Sequence, residues 1–177
     1  MAGEYDNLAA AASFASAAEK YCRVISSDSP ACIYSRLETA LCELHRTILP
    51  LRAQMPDEEP DEDDSTPPMT RDQWLEIARG IHKTIQADIT ALIAEHRSLG
   101  RGKLDSSELT RMEMFADDLA DIYHDLQGGL ALWKTGEEQS QIAATWEWRY
   151  GYEIHWGHHL ARAMITLYEI RYMLHRD

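Results

Sequence analysis

The stretch from Trp146 to Leu174 constrains the fold of this chain most, because it is unusually rich in large aromatic side chains. It contains three of the five Trp, four of the eight Tyr and three of the eight His. It has no Pro and only two Gly, Gly151 and Gly157. The stretch is predicted to form one long helix around which the other helices pack, with a kink or a close helix contact at each glycine.

A helical wheel with about 100° per residue divides this helix into a narrow polar arc and a broad apolar remainder. The polar arc is predicted to face solvent. The apolar remainder, which includes Tyr150 and Tyr168, is predicted to be buried against other helices. The members of the polar arc are Glu147, His158, Arg162, Glu169 and Arg176.

Four further helices are predicted upstream, because apolar residues recur there at helical spacing between turn residues. They cover about 7–26, 30–49, 71–98 and 107–127. No stretch alternates as a strand would. The predicted fold is therefore an all-α, up-and-down helical bundle of four to five helices with a long aromatic-rich C-terminal helix, in a single domain spanning 1–177.

Local signals predict where several of these helices begin and end. Asp6 is the predicted N-cap of the first helix, because its side-chain oxygen can accept from free amides of the first turn. Thr70 and Gln73 form a predicted capping box before the third helix. Gly128 and Gly129 are expected to end or sharply bend the fourth helix.

An acidic, proline-rich loop is predicted at about 50–69. It holds five of the six Pro and seven acidic residues within eight positions, so it can bury little apolar surface. Such a loop could attract a basic partner or a cation, or it could simply connect two helices. Without those seven charges the net charge of −13 becomes −6.

Composition excludes several classes of protein. There is no basic stripe to neutralise phosphates, so nucleic acid and anionic membranes are not expected partners. No apolar run reaches the roughly 20 residues of a membrane span, and the amino terminus lacks the basic region of a signal peptide. Cys22, Cys32 and Cys42 form no CxxC motif and are predicted to be free thiols. We therefore expect a cytoplasmic location.

His155 and His159 are the sharpest chemical feature. Four residues apart, they present two imidazoles on one helical face, as many zinc and iron sites do. The alternative is a pair of buried histidines bonded to tyrosine, carboxylate or backbone. A metal site needs a third ligand, and the chain has no Glu-x-x-His motif of the di-iron bundles.

A second group lies on the fourth helix and consists of Asp117, Asp121, His124 and Asp125. These side chains share an arc opposite the apolar face of that helix, so a solvated acidic face is the simpler interpretation. If the long helix bends over this arc, Asp121 or His124 could join His155 and His159 as metal ligands.

The aromatic residues of the last helix allow two interpretations. Trp148, Tyr152 and Trp156 could line a groove for a ligand or a partner helix. Alternatively they fill the core, since the chain has only two Phe. Trp146 and Trp148 point to different sides and cannot line the same groove.

Three segments resemble a bacterial family of small all-helical proteins catalogued only as a domain of unknown function: AAEKYCRVI, DIYHDLQGGLALW and WEWRYGYEIHWGHHLARAM. The resemblance implies an all-helical fold in a bacterial cytoplasm and no particular activity. The HWGHH pattern alone is similar to metal-binding bundles of the DinB type. Those proteins need a further histidine on another helix, and His45, His82, His96 and His124 are candidates.

These observations lead to two hypotheses about function. The first is a non-enzymatic binding or regulatory protein without a cofactor, acting through a protein partner or as a homodimer, because catalytic motifs are lacking and large aromatics are in surplus. The second is a DinB-like bundle that binds a divalent transition metal (zinc, iron, manganese or nickel) through His155 and His159, with Asp121 or His124.

Overall fold

The computed structural model describes residues 2–26, 33–52, 70–98 and 106–174. Its helices are α1 (Ala2–Ile25), α2 (Ile33–Ile48), α3 (Arg71–Ser98), α4 (Ser106–Lys134), α5 (Glu138–Gly151) and α6 (Gly157–Leu174). A π-helical turn, Tyr152–Trp156, joins α5 to α6 without interruption. The predicted all-α bundle is confirmed, with no strand in the described ranges. The acidic run of the predicted loop and Cys32 lie outside the described residues.

The central helix of the bundle is α4, which packs against α1, α3, α5 and α6. The prediction that the other helices surround the last one is therefore wrong. Small residues explain the position of α4, because the buried Ala116 and Ala120 let neighbouring helices approach closely. The core between the helices includes Phe14, Tyr21 and Phe115, all without exposed surface.

Gly128 and Gly129 lie inside α4, so the prediction that they end or bend this helix is wrong. The indole of Trp148 lies directly against Gly129, where any Cβ atom would overlap it. Its Nε1–H donates to the carbonyl oxygen of Leu126 at 3.4 Å. A helix-interior glycine costs about 1 kcal/mol. Burial of a large aromatic side chain offsets that cost.

The π-turn lies between two tryptophans that pack in the core. Trp148 and Trp156 are both fully buried and pack on Phe14, with ring centroids 5.0 and 6.0 Å away. The Trp156 Nε1–H donates to the carbonyl of Trp148 at 3.2 Å. A Cβ atom at Gly157 would overlap the carbonyl oxygen of Tyr152, so glycine is required at the end of this turn. The predicted irregularity at Gly157 is confirmed.

Of the two predicted helix caps, the one before α3 is confirmed and the one in α1 is wrong. Thr70 and Gln73 form the predicted capping box: the Thr70 amide donates to Gln73 Oε1 at 2.8 Å, and the Gln73 amide to Thr70 Oγ1 at 3.3 Å. Asp6 is not an N-cap, because α1 already begins at Ala2. The Ala2–Asp6 segment has no proline, and its single glycine, Gly3, costs only about 1 kcal/mol, so the helix can continue towards the amino end.

Candidate functional sites on the last helix

The polar arc of the last helix lies beside α4, so the prediction that it faces solvent is wrong for Glu147 but holds for His158 and Arg162, which are exposed. The Glu147 carboxylate lies against Gly128, and Glu169 pairs with Arg111 of α4 at 3.1 Å. Arg162 pairs with Asp118 of α4. His158 is exposed, and Arg176 lies outside the described residues. The arc is polar because the facing side of α4 is polar too.

The most buried ion pair between these helices joins His159 to Asp118. His159 Nδ1 is 2.8 Å from Asp118 Oδ1, and the Asp118 side chain is only 2% exposed. A hydrogen on Nδ1 can donate to this carboxylate, and Arg162 Nη2 lies 3.0 Å from the same ring nitrogen. Arg162 donates to the same carboxylate, and this hydrogen bond raises the pKa of the Arg162 guanidinium.

His155 repeats this arrangement one turn earlier. Its Nδ1 donates to Asp125 Oδ2 at 2.5 Å. Asp121 lies between the two pairs, with its Oδ2 3.6 Å from His159 Nδ1. Burial raises the pKa of Asp121, although the nearby His159 and His155 rings oppose this rise. We call this group the histidine–aspartate cluster; its members are His155, His158, His159, Asp118, Asp121 and Asp125.

Three of the four predicted metal ligands lie in this cluster: His155, His159 and Asp121. The fourth, His124, has a buried Nδ1 without a hydrogen-bond partner among the described residues. The ring centroids of His155 and His159 are 4.9 Å apart, and those of His158 and His159 are 4.0 Å apart. Within the described ranges, however, no three His, Cys, Asp or Glu side chains have an arrangement that could hold a metal ion.

Sequence reasoning missed Asp118, the most buried carboxylate of the cluster. The signal was present, because Asp118 precedes Asp121 by three residues and Asp125 by seven, which places all three on one face of α4. The interpretation of this arc as a solvated acidic face is correct only for Asp117. Its carboxylate is 59% exposed and pairs with His82 at 2.7 Å.

Glu147 has the most perturbed carboxyl group of this interface. Burial, followed by the nearby charge of Asp125, raises its pKa to about 7. Glu147 therefore gains or loses its proton near neutral pH, unlike an ordinary glutamate.

The predicted aromatic groove is not formed by its proposed residues. Trp148 and Trp156 are fully buried and Tyr152 is half-buried, so these side chains belong to the core. An open cavity of about 690 Å³ lies elsewhere, beside the parallel rings of Trp146 and Tyr150, whose centroids are 4.9 Å apart. Its lining includes Leu49, Leu51, Arg149 and Glu153. Trp146 and Trp148 do point to different sides, as expected.

Several large apolar side chains of the last helix are exposed, although Tyr150 and Tyr168 were predicted to be buried. Five large side chains are between 47% and 70% exposed there. Ala161 is exposed among them. We call this surface the apolar face; its large members are Tyr150, Ile154, Ile165, Tyr168 and Tyr172. Apolar side chains of this helix are therefore found both in the core and on the surface of the described part of the chain.

The fold and these sites define an all-α bundle whose last helix has a carboxylate-paired histidine side and an exposed apolar side. A family described as Domain of unknown function (DUF5063) matches residues 5–173, and the chain belongs to this family. The predicted membership of a family of unknown function is thus confirmed. No curated protein and no solved structure shows a significant match. Among the described helices, none is long and apolar enough to cross a membrane.

Proposed function

We propose that this protein is a non-enzymatic binding protein and that the apolar face of its last helix binds another protein. The observation that carries the proposal is the exposure of five large apolar side chains on the last helix, three of them on α6. Together they expose on the order of 500 Å² of side-chain surface, which lies at the upper end of the range for monomers. Patches of this size commonly mark interaction sites.

A helix of a partner protein is the occupant that this surface favours. Three members of the face, Ile165, Tyr168 and Tyr172, lie on α6, whose 18 residues span about 27 Å. Ala161, Ile165, Tyr168 and Tyr172 follow at intervals of four, three and four residues, which is the spacing used when two helices pack side by side. Tyrosine is also enriched at protein interfaces, because its ring is apolar and its hydroxyl remains hydrated.

The test is affinity capture with a matched pair of variants. We expect proteins captured by the immobilised wild type, including added soluble copies of the chain, to be lost with Ile165→Glu/Tyr168→Glu. They should be retained with Leu8→Glu/Met114→Glu, which changes exposed apolar residues on α1 and α4. A buried charge in a helix interface should reduce binding at least tenfold. Equal capture by both variants, or none by the wild type, contradicts the proposal.

A second candidate function is the binding of a divalent transition metal such as zinc, iron, manganese or nickel by the histidine–aspartate cluster. It is supported by the way His155 and His159 each use Nδ1 on a carboxylate. Metal-binding histidines typically make this contact, which leaves Nε2 available as a ligand. Because the present arrangement does not surround a common point, the exposed rings of His155 and His158 must turn for a metal to bind.

Metal titration shows whether the histidine–aspartate cluster binds a metal or only forms hydrogen bonds between α4 and the last helix. If the cluster binds zinc, calorimetry of the chelator-treated protein should give about one site per chain, and His155→Ala/His159→Ala should weaken it at least 100-fold. The control is His82→Ala, since His82 also pairs with an aspartate, Asp117, but through Nε2 and away from the cluster. A wild-type protein without zinc uptake, or uptake unchanged in the double variant, would rule this candidate out.

A further inference from the structure

The α6 part of the apolar face has a spacing that suits a second copy of itself. The intervals of four, three and four residues from Ala161 to Tyr172 read the same in both directions. In a symmetric dimer the same surface of both copies forms the interface, and residue i contacts j as j contacts i. Two antiparallel copies of α6 therefore match when a twofold axis passes midway between Ile165 and Tyr168.

We infer that the partner of the apolar face is a second copy of this chain, with its α6 antiparallel to the first about this axis. The inference rests on the proposed function, because it names the protein that the face binds. In this dimer Ile165 of one copy faces Tyr168 of the other. Ala161 of one copy faces Tyr172 of the other.

The sizes of the facing side chains favour the antiparallel orientation. Ala161 leaves space on the surface of α6, and the large Tyr172 of the other copy fills it. A parallel pair would instead set Ala161 against Ala161 and Tyr168 against Tyr168. That arrangement leaves a gap at one level and crowding at another, whereas close packing requires large side chains opposite small ones.

The charges at the edge of the face also favour this orientation. Arg162 and Glu169 each follow an interface residue directly and lie along the same edge. In an antiparallel pair, matching edges of the two helices approach each other, so Arg162 of one copy lies near Glu169 of the other. Their side chains remain 44% and 38% exposed beside their contacts with Asp118 and Arg111. Opposite charges at such edge positions determine helix orientation.

The exposed area indicates a weak dimer. Ile165, Tyr168 and Tyr172 are 59%, 70% and 52% exposed, which corresponds to on the order of 350 Å² of side-chain surface per copy. A standard interface buries about 800 Å² per partner, so flanking residues must supply the remainder. We expect a dissociation constant on the order of 10 µM.

Disulfide trapping tests the orientation directly, with Cys32 and Cys42 replaced by serine. A mixture of the Ala161→Cys and Tyr172→Cys chains should form a mixed disulfide dimer under mild oxidation. Neither chain should do so alone, because two copies of residue 161 lie eleven residues apart along the paired helices, or about 16 Å. A disulfide needs Cα atoms within about 7 Å.

Sedimentation of the wild type measures self-association over roughly 1–100 µM, the range that brackets the expected constant. Tyr168→Glu should sediment as a monomer throughout, and Leu8→Glu should behave as the wild type. Efficient trapping of Ala161→Cys alone indicates a parallel pair and overturns the inference. A wild-type monomer at every concentration overturns it too. If capture of another protein still depends on Ile165 and Tyr168, the proposed function survives; if that capture is also absent, both fail.

Discussion

Replacing Asp118 with alanine should lower the free energy of unfolding by about 2–3 kcal/mol. Asp118 is 2% exposed and accepts hydrogen bonds from both His159 and Arg162. Removing one partner of a buried charge pair costs about 3–5 kcal/mol. The expected loss is smaller here because the Arg162 side chain is 44% exposed and can regain water. Urea denaturation at pH 7 measures the change.

The neighbouring Asp117 supplies a control of the same residue type on the same helix. Its carboxylate also pairs with a histidine, at 2.7 Å, but it is 59% exposed. Asp117→Ala should therefore change stability by less than about 1 kcal/mol. Asp118→Asn, which keeps an acceptor oxygen for His159, should give an intermediate loss. If Asp117→Ala and Asp118→Ala had equal effects, the buried contact with His159 would not be the main link between α4 and α6.

The helices were predictable because their local signals agree with the packing. The Thr70–Gln73 capping box and the buried Leu37, Leu41 and Leu44 stripe of α2 both depend on residues close in sequence. The interior position of Gly129 was not predictable in this way. A glycine pair ends many helices, and only the indole of Trp148, nineteen residues later, shows why this one continues.

The sites were harder to predict, because a helical wheel gives the side on which a residue lies but not the neighbour of that side. The wheel correctly grouped Glu147, Arg162 and Glu169. Their assignment to solvent was incomplete, because Arg162 and Glu169 also pair with Asp118 and Arg111 of α4. The converse error concerns Tyr168, which is 70% exposed. Polarity alone therefore does not determine exposure. Polar side chains of the last helix pair with polar side chains of α4, whereas the aromatic ring of Tyr168 remains exposed.

Replacing Glu147 with glutamine should remove a fall in stability between about pH 4.5 and pH 7. Burial raises the pKa of Glu147 from 4.5 to about 7 in the folded protein. Between these pH values the folded chain holds a proton that the unfolded chain has lost, so the free energy of unfolding decreases as pH rises. The full difference corresponds to about 3 kcal/mol, which is an upper value. Glutamine stays neutral, so Glu147→Gln should exceed the wild type in stability by about 2–3 kcal/mol at pH 8.

Urea denaturation of both chains at several pH values checks this, and the difference between the two curves isolates Glu147 from other titrating groups. The difference should be smallest near pH 4.5, increase up to about pH 7 and then remain constant. Curves that run parallel from pH 4.5 to pH 8 would contradict a raised pKa. Asp125→Asn supplies a second check, because the charge of Asp125 is the other cause of the rise. In that variant the pKa of Glu147 should fall, so the loss of stability should be complete at a lower pH.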